Sequence, residues 1–558
     1  MKKRLYISIL ITTVICISTI IYSGTDALIN TAPLWPPFIA IILALITRDV
    51  IISLFTGVWA GAVIALKPSG VADLIKSLAI GFFNALDTYI LKSVADSDHV
   101  SIILFTLLIG GTVGVISSSG GLEGFVSVIA KKVSSRIKAQ ISAWLLGMAV
   151  FFDDYTNCLI VGNMMRPIFD RFRISREKLS FIVDTTAAPV SSLFLVSTWI
   201  GFEIGLISEA MKALNIPMDA YAIFLSSIPY RFYVIIVLLF IPLLIFMKRE
   251  FGAMFQAEER AVTKNQPLRP GSKPLGETDI SLKAKPQQRS AILAILPILI
   301  LIFAVIVSLI GTGINNLNGK EKTISNILGS ANSYKALLWA SLASSLAAIS
   351  AVIFSKALTF KDAIDSWISG IKSMLMAVIV LSLAWAIGGI TKELKTAEYV
   401  IAILSSHVSS WFLPAAIFVS AALISFATGT SWGTMAILFP IAIPLAHKIS
   451  LASGFPAGDV SLIYITSGAV LSGSVFGDHC SPISDTTILS SIGSCVDHID
   501  HVNTQLYYAV FVAIICLLFG YIPAGFGINP WILNAVSLFA IFLIMLKIGK
   551  KIQEGNNV

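Results

Sequence analysis

Four stretches of this sequence place carboxylates and hydroxyls where apolar side chains otherwise dominate. Phe152-Asp153-Asp154-Tyr155-Thr156-Asn157 interrupts the apolar stretch 139–165, and Asp184-Thr-Thr-Ala-Ala-Pro189-Val-Ser191-Ser192 interrupts 179–211. Thr428-Gly429-Thr430-Ser431-Trp432-Gly433-Thr434 sits inside 410–446, and Gly477-Asp478-His479-Cys-Ser-Pro482-Ile-Ser484-Asp485-Thr486-Thr487 sits inside 460–494. An ionisable side chain within a membrane segment costs about 2.5–3.5 kcal/mol on insertion scales, which makes it a functional candidate. Proline removes a backbone donor and frees a carbonyl of the preceding turn. Carboxylates, hydroxyls and freed carbonyls are hard oxygen ligands suited to an alkali cation, and broken-helix C-terminal ends add partial negative charge beside them. Asp184-x4-Pro189-Val-Ser and Asp478-x3-Pro482-Ile-Ser share an acid, a proline and a serine, offset by one residue.

Blander readings apply residue by residue. A lone Asp could simply cap hairpin backbone; five Asp at matched positions favour a transport role. Glu203 has no counterpart, so a structural or interface role is equally open. His479 reads as a satisfied core histidine ahead of a proton relay or pH sensor. Asp497-His-Ile-Asp-His501 has the residue types of a metal cluster but reads as a solvated loop. Trp199 and Trp432 read as packing before substrate stacking. No Lys or Arg is expected in the polar core, which favours a cation over an anion.

The elements that must position these residues are membrane helices. The chain has 558 residues, 56% hydrophobic and only 13% charged, about half the charge of an ordinary soluble domain. The net charge of +8 comes from basic residues in short loops between apolar runs, a positive-inside pattern rather than a nucleic-acid surface. Five cysteines (Cys16, Cys158, Cys480, Cys495, Cys516) show no metal or disulfide spacing. Expected spans run near 5–24, 34–46, 50–66, 101–118, 179–211, 220–247, 291–311, 335–355, 371–391, 460–494, 505–524 and 529–547. The first follows Met1-Lys-Lys-Arg without a convincing cleavage site and reads as a retained helix.

Charge fixes the topology. Lys131, Lys132, Arg136 and Lys138 precede the stretch 139–165, and Arg166, Arg171, Arg173, Arg176 and Lys178 follow it. A single crossing would put one basic cluster outside; a re-entrant hairpin leaves both inside. Its polar tip is broken backbone at membrane depth, tolerated where protein or a wet cavity surrounds it. The stretch 410–446 then enters from the opposite face. The expected fold is all-α and polytopic, with about twelve transmembrane helices plus two re-entrant hairpins in two inverted repeats, a secondary-transporter plan. The divisions are 1–30 (an extra helix), 31–247 (first repeat), 248–290 (cytoplasmic linker), 291–525 (second repeat) and 526–558 (C-terminal helix and tail). Both termini are expected in the cytoplasm.

At Phe152–Asn157, Asp184–Trp199, Gly429–Gly433 and Gly477–Thr486 the chain resembles the NhaC-type Na+/H+ antiporter family, over roughly residues 35–525. The last motif is the most specific, since it combines Gly, Pro and two Asp in one span. The resemblance implies coupled exchange of Na+ and H+ without cofactor or ATP. It leaves open exchange of a small organic acid, malate- or lactate-like, or of an amino acid. The candidate ion or substrate residues are Asp153, Asp154, Thr156, Asn157, Asp184, Pro189, Ser191, Gly429, Thr430, Ser431, Gly433, Asp478, Pro482, Ser484, Asp485 and Thr486. Asp184, Asp478 and Asp485 are the expected Na+ ligands. The implied partners are the bilayer of the inner membrane, Na+ and H+, with a homodimer as one compatible assembly and no nucleic acid. An intramembrane hydrolase or metalloenzyme built on Asp478, His479 and Asp485 would need a single centre without a symmetric partner, which the paired motifs argue against.

Overall fold

The computed structural model describes residues 32–47, 49–121, 124, 133–195, 197–214, 218–274, 290–317, 327, 331–396, 409–456 and 458–552. The expected helix 5–24, Lys131, Lys132, linker residues 275–289 and tail residues 553–558 lie outside them.

The described chain is helical except for one two-residue strand pair. Helices α1 (Trp35–Thr47) and α2 (Val50–Ala65) meet at Asp49, whose side chain caps α2 by accepting from Ile52 N. A rod follows, α3 (Val71–Val94), with a π turn at Ala85–Ile90, and then α4 (Ser97–Ser118). Asp73, Lys76, Asp87 and Lys92 break the apolar run of α3, so it is not among the expected spans; its length and composition nonetheless suffice to cross a membrane.

Helices α5 (Arg136–Ala149) and α6 (Asp154–Arg171) pack together around the Asp153-Asp154 turn, where the hairpin tip was expected. The next apolar stretch breaks twice, into α7 (Arg176–Thr185), the short α8 (Ala188–Leu193) and α9 (Ile200–Ala213). Beyond it come α10 (Ala220–Ser227) and α11 (Phe232–Met247), which bend by 49° about Arg231.

The stretch 248–290 is more than a connector. Arg249–Glu250 (β1) pairs antiparallel with Lys550–Lys551 (β2), and α12 (Gly252–Lys264) docks against α7. Glu258 accepts from Ser175 N at 2.8 Å and pairs with Arg136, while Arg260 pairs with Glu177 at 2.9 Å. Further along, Arg269 pairs with Asp500 at 2.9 Å.

The second half begins with α13 (Ile292–Asn315), α14 (Ser333–Phe354), the amphipathic α15 (Phe360–Ser373) and α16 (Leu375–Glu393). A second hairpin, α17 (Leu413–Thr428) and α18 (Ser431–Ala452), turns at Gly429-Thr430. The following stretch breaks once, between α19 (Ser461–Cys480) and α20 (Asp485–Ser494). Helix α21 (His498–Cys516) and helix α22 (Pro530–Ile548) complete the described chain. Among the described residues eight helices are long and apolar enough to cross a membrane, or nine if the bent α10–α11 pair counts as one span. The other expected crossings among these residues fall on shorter or broken helices.

The halves are interlocked. Helix α4 packs on α14 and α15, and α16 packs on α2. Helix α6 lies against α20, so closely that a Cβ on Gly162 would stand 2.7 Å from the carbonyl carbon of Gly493.

Candidate functional site

Each hairpin tip is held against a break. In the first, Asp153 caps α6 by accepting from Thr156 N at 2.9 Å. Asn157, fully buried, donates its amide to Gly147 O at 2.8 Å and to Thr186 O at 2.7 Å. It therefore satisfies the end of α5 and the α7–α8 break together. Gly147 is needed there because a Cβ would collide with the side chain of Thr186.

In the second hairpin, Thr430 caps α18 by accepting from Gly433 N at 3.2 Å. Gly429 closes α17 with φ of +70°, and a Cβ there would lie 2.7 Å from Ile483 Cγ1 in the α19–α20 break. Ser484 caps α20, and Ser481 Oγ donates to Phe426 O at 2.8 Å. The sequence reads this way locally because Gly, Ser, Thr and Asp satisfy helix ends that would otherwise leave unpaired backbone groups in the membrane.

Between the tips lies a cavity of about 400 Å³. Its acids are Asp49, Asp153, Asp154, Asp478 and Asp485, joined by Thr430 and Ser431. Asp478 is gripped at both oxygens: Ser484 Oγ donates to Oδ1 at 2.7 Å and Ser431 Oγ to Oδ2 at 3.1 Å. Tyr155 OH donates to Asp485 Oδ2, and Thr486 N donates to Oδ1 at 2.9 Å. Asp154 is 5% exposed, and among the described residues its carboxylate receives no hydrogen bond from another residue. Asp154 and Asp485 are the first residues of α6 and α20, so helix N-terminal dipoles stabilise negative charge at both.

Of the candidates, the cavity thus takes in Asp153, Asp154, Gly429, Thr430, Ser431, Asp478 and Asp485. Thr156, Asn157, Gly433, Ser484 and Thr486 stand behind it as caps and clamps. Pro189 lies in the first turn of α8 with Ser191 two residues on, and Pro482 lies within the α19–α20 break. Carbonyls in the turns before these prolines are already used: Thr186 O by Asn157, and Asp478 O by Thr487 Oγ1 at 3.2 Å.

Asp184 does not line the cavity. Its Oδ2 meets Gln505 Nε2 at 2.6 Å and His501 Nε2 at 3.2 Å in a fully enclosed cluster. This corrects the loop expected at Asp497–His501. Asp497 caps α21, and the helix carries His501 inward to 0% exposure. Among the described residues no His, Cys, Asp or Glu group has a metal-binding arrangement. His479 sits beside this cluster, bonded to Tyr233 OH at 2.7 Å and Thr185 Oγ1 at 2.9 Å.

Among the described residues two cations are buried elsewhere in the protein, outside the polar core. Arg231 and Lys178 are both fully buried, but each is neutralised away from the cavity, by Glu203 at 3.1 Å and by Glu250 at 2.8 Å. Glu203, left open in the sequence, is thereby an ion-pair partner in the protein interior. Asp49, Tyr155, Thr198 and Met374 line the cavity without having been singled out. Asp49 gave the one usable signal, an acid between two apolar runs.

Interrupted helices meeting at an acid-lined cavity inside a polytopic helical protein define a multi-pass secondary transporter. A sequence model of the Na+/H+ antiporter family matches residues 190–526. The chain belongs to that family. An uncharacterised protein of Haemophilus influenzae is 34% identical over 527 residues, which span 92% of this chain and 95% of its own. The malate-2H(+)/Na(+)-lactate antiporter of Bacillus subtilis is 30% identical over 219 residues, 34% of this chain and 43% of its own. The crystal structure of the Alcanivorax borkumensis YdaH transporter shares the fold, with a TM-score of 0.52 at 12% identity, covering 80% of this chain and 90% of its own.

Proposed function

We propose that the protein exchanges Na+ for H+ by alternating access, with the cavity carboxylates holding either the ion or the proton. The observation that carries this reading is the gathering of Asp153, Asp154, Asp478 and Asp485 around one cavity from helix breaks in both halves of the chain. Carboxylates that share a site repel when all are ionised, so charge balance calls for a bound cation or a proton. Serine and threonine hydroxyls complete an oxygen cage. Release of the tips by Asn157 or Ile483 would open the cage, because each tip is anchored to a break rather than to a continuous helix.

The interlocked packing of α4 with α14 and α15, and of α16 with α2, supports two inverted repeats at 31–247 and 291–525. In that arrangement the chain lies in the cell (inner) membrane with both termini inside, and cysteines placed at Arg171 and Lys273 label from the cytoplasm only.

The deciding assay is proton movement in proteoliposomes under an imposed pH gradient. Na+ or Li+ should dissipate the gradient far better than K+, and half-maximal Na+ should rise as pH falls because protons compete for the same acids. Flux that ignores Na+ and follows a dicarboxylate would overturn the reading in favour of an organic-acid exchanger. The relative named for malate and lactate keeps that alternative in view. Among the described residues the cavity lining offers it no Lys, Arg or His.

A further inference from the structure

The cavity is larger, and its lining more apolar, than an alkali cation alone requires. Its volume of about 400 Å³ falls in the range of small-molecule pockets, roughly 300–1,000 Å³. Six waters around a bound ion, at about 30 Å³ each, would fill roughly half of it. Besides the acids, the lining includes Trp199, Trp432, Met374, Val380 and Ile483. The tryptophans belong to a braced aromatic cluster. Trp432 lies 5.8 Å from Trp199 and 4.4 Å from Phe202, ring centre to ring centre. A hydrated ion has no use for such a lining; a cation carrying hydrocarbon does, through apolar contact and cation–π attraction.

The acids differ in a way that points to a ligand. Asp49, Asp153, Asp478 and Asp485 each accept hydrogen bonds from hydroxyls or backbone amides. Asp154 accepts none from another described residue, yet it is 5% exposed and lines the cavity. A buried carboxylate without donors calls for one from the ligand. An organic anion cannot supply the charge, since among the described residues the lining holds five carboxylates and no basic side chain.

We propose that the cavity also takes an organic ammonium ion, an aliphatic amine or diamine, in exchange for protons and in competition with Na+. The ammonium group meets Asp154, and the hydrocarbon chain lies against Trp432, Met374 and Val380. This inference rests on the reading of the cavity as a cation-exchange site, but it does not need Na+ itself to be the cargo.

The test uses the purified full chain and two probes, butane-1,4-diamine and butyltrimethylammonium. The second is permanently charged and cannot leak across a bilayer as a neutral base. Calorimetric titration should show saturable binding of both, weakened competitively by Na+ and tighter for the diamine, because butyltrimethylammonium brings charge and hydrocarbon but no N–H donor for Asp154; butyltrimethylammonium should still drive proton movement in proteoliposomes. Asp154→Asn should weaken binding of the diamine at least tenfold. Trp432→Leu should raise the ratio of half-saturating amine to half-saturating Na+ by about 2- to 30-fold, the span of a cation–π contact, and Trp432→Phe should raise it less. Variants are first checked for monodispersity and thermal stability.

Na+-driven exchange without saturable amine binding would overturn the inference and leave the Na+/H+ reading standing. Amine binding that ignores both Asp154→Asn and Trp432→Leu would overturn it as well. Amine exchange that Na+ inhibits but does not itself drive would support it while refuting Na+ as the cargo.

Discussion

Replacing Asn157 isolates the clamp between the first hairpin and the first break. Its amide makes two good hydrogen bonds, 2.8 Å to Gly147 O and 2.7 Å to Thr186 O, while the approach to Val150 O at 3.4 Å adds little. Asn157→Ala leaves two buried carbonyls without their donor. An orphaned buried group costs about 1–3 kcal/mol, but hydrogen bonds between membrane helices average nearer 0.6 kcal/mol, with a maximum of about 1.7. Two such bonds therefore give about 1–3 kcal/mol, enough to lower the unfolding midpoint of the purified protein measurably. Asn157→Asp keeps the shape but turns a donor into an acceptor that faces two carbonyl oxygens. It should be at least as destabilising as the alanine variant and should lose Na+-dependent proton movement. Thermal unfolding in detergent and proteoliposome flux read the two effects separately. A stable Asn157→Asp protein with tightened Na+ response would mean that the free Oδ1 of Asn157 is an ion ligand and that the clamp is misassigned.

Arg231→Met should cost about 3–5 kcal/mol by leaving Glu203 buried without its partner, and adding Glu203→Gln should restore most of that loss in a thermal-shift measurement. Gly429→Ala forces an L-residue to φ of +70° and presses a Cβ to 2.7 Å from Ile483. The left-handed conformation alone costs roughly 1–2 kcal/mol, so inserted protein with abolished exchange is expected; full exchange would mean that the tip-to-break contact is not needed.

The breaks were legible because Gly, Pro, Asp and Ser cluster there within apolar runs, whereas lone prolines such as Pro167, Pro242 and Pro297 stay inside helices. Asp153, Asp154, Asp478 and Asp485 stood out for that reason, and the structure brings all four to one cavity. The partners that sort them were not legible. Asp184 looks like Asp478 in its local motif, yet it faces His501 and Gln505, more than 300 residues away, and local spacing carries no trace of that contact. His501 read as a loop residue because the polar Asp497–Asp500 cap hides the start of α21. Glu203 stays ambiguous in the sequence because its burial makes sense only as a pair with Arg231. Helix α3 was missed because four charges dilute its apolar run, and the contribution of Asp49 depends on a tip contact between distant elements.

The central claim is that the cavity carboxylates bind the exchanged ion and proton, whereas Asp184 belongs to a separate buried cluster. Asp→Asn keeps size and hydrogen bonding but removes the charge, so one series tests it: Na+-dependent proton movement in proteoliposomes for Asp154→Asn, Asp478→Asn and Asp485→Asn, each verified as folded and membrane-inserted. Loss of exchange in all three is the predicted result. Full antiport in all three would contradict the account, because the acid-lined cavity would then be structural.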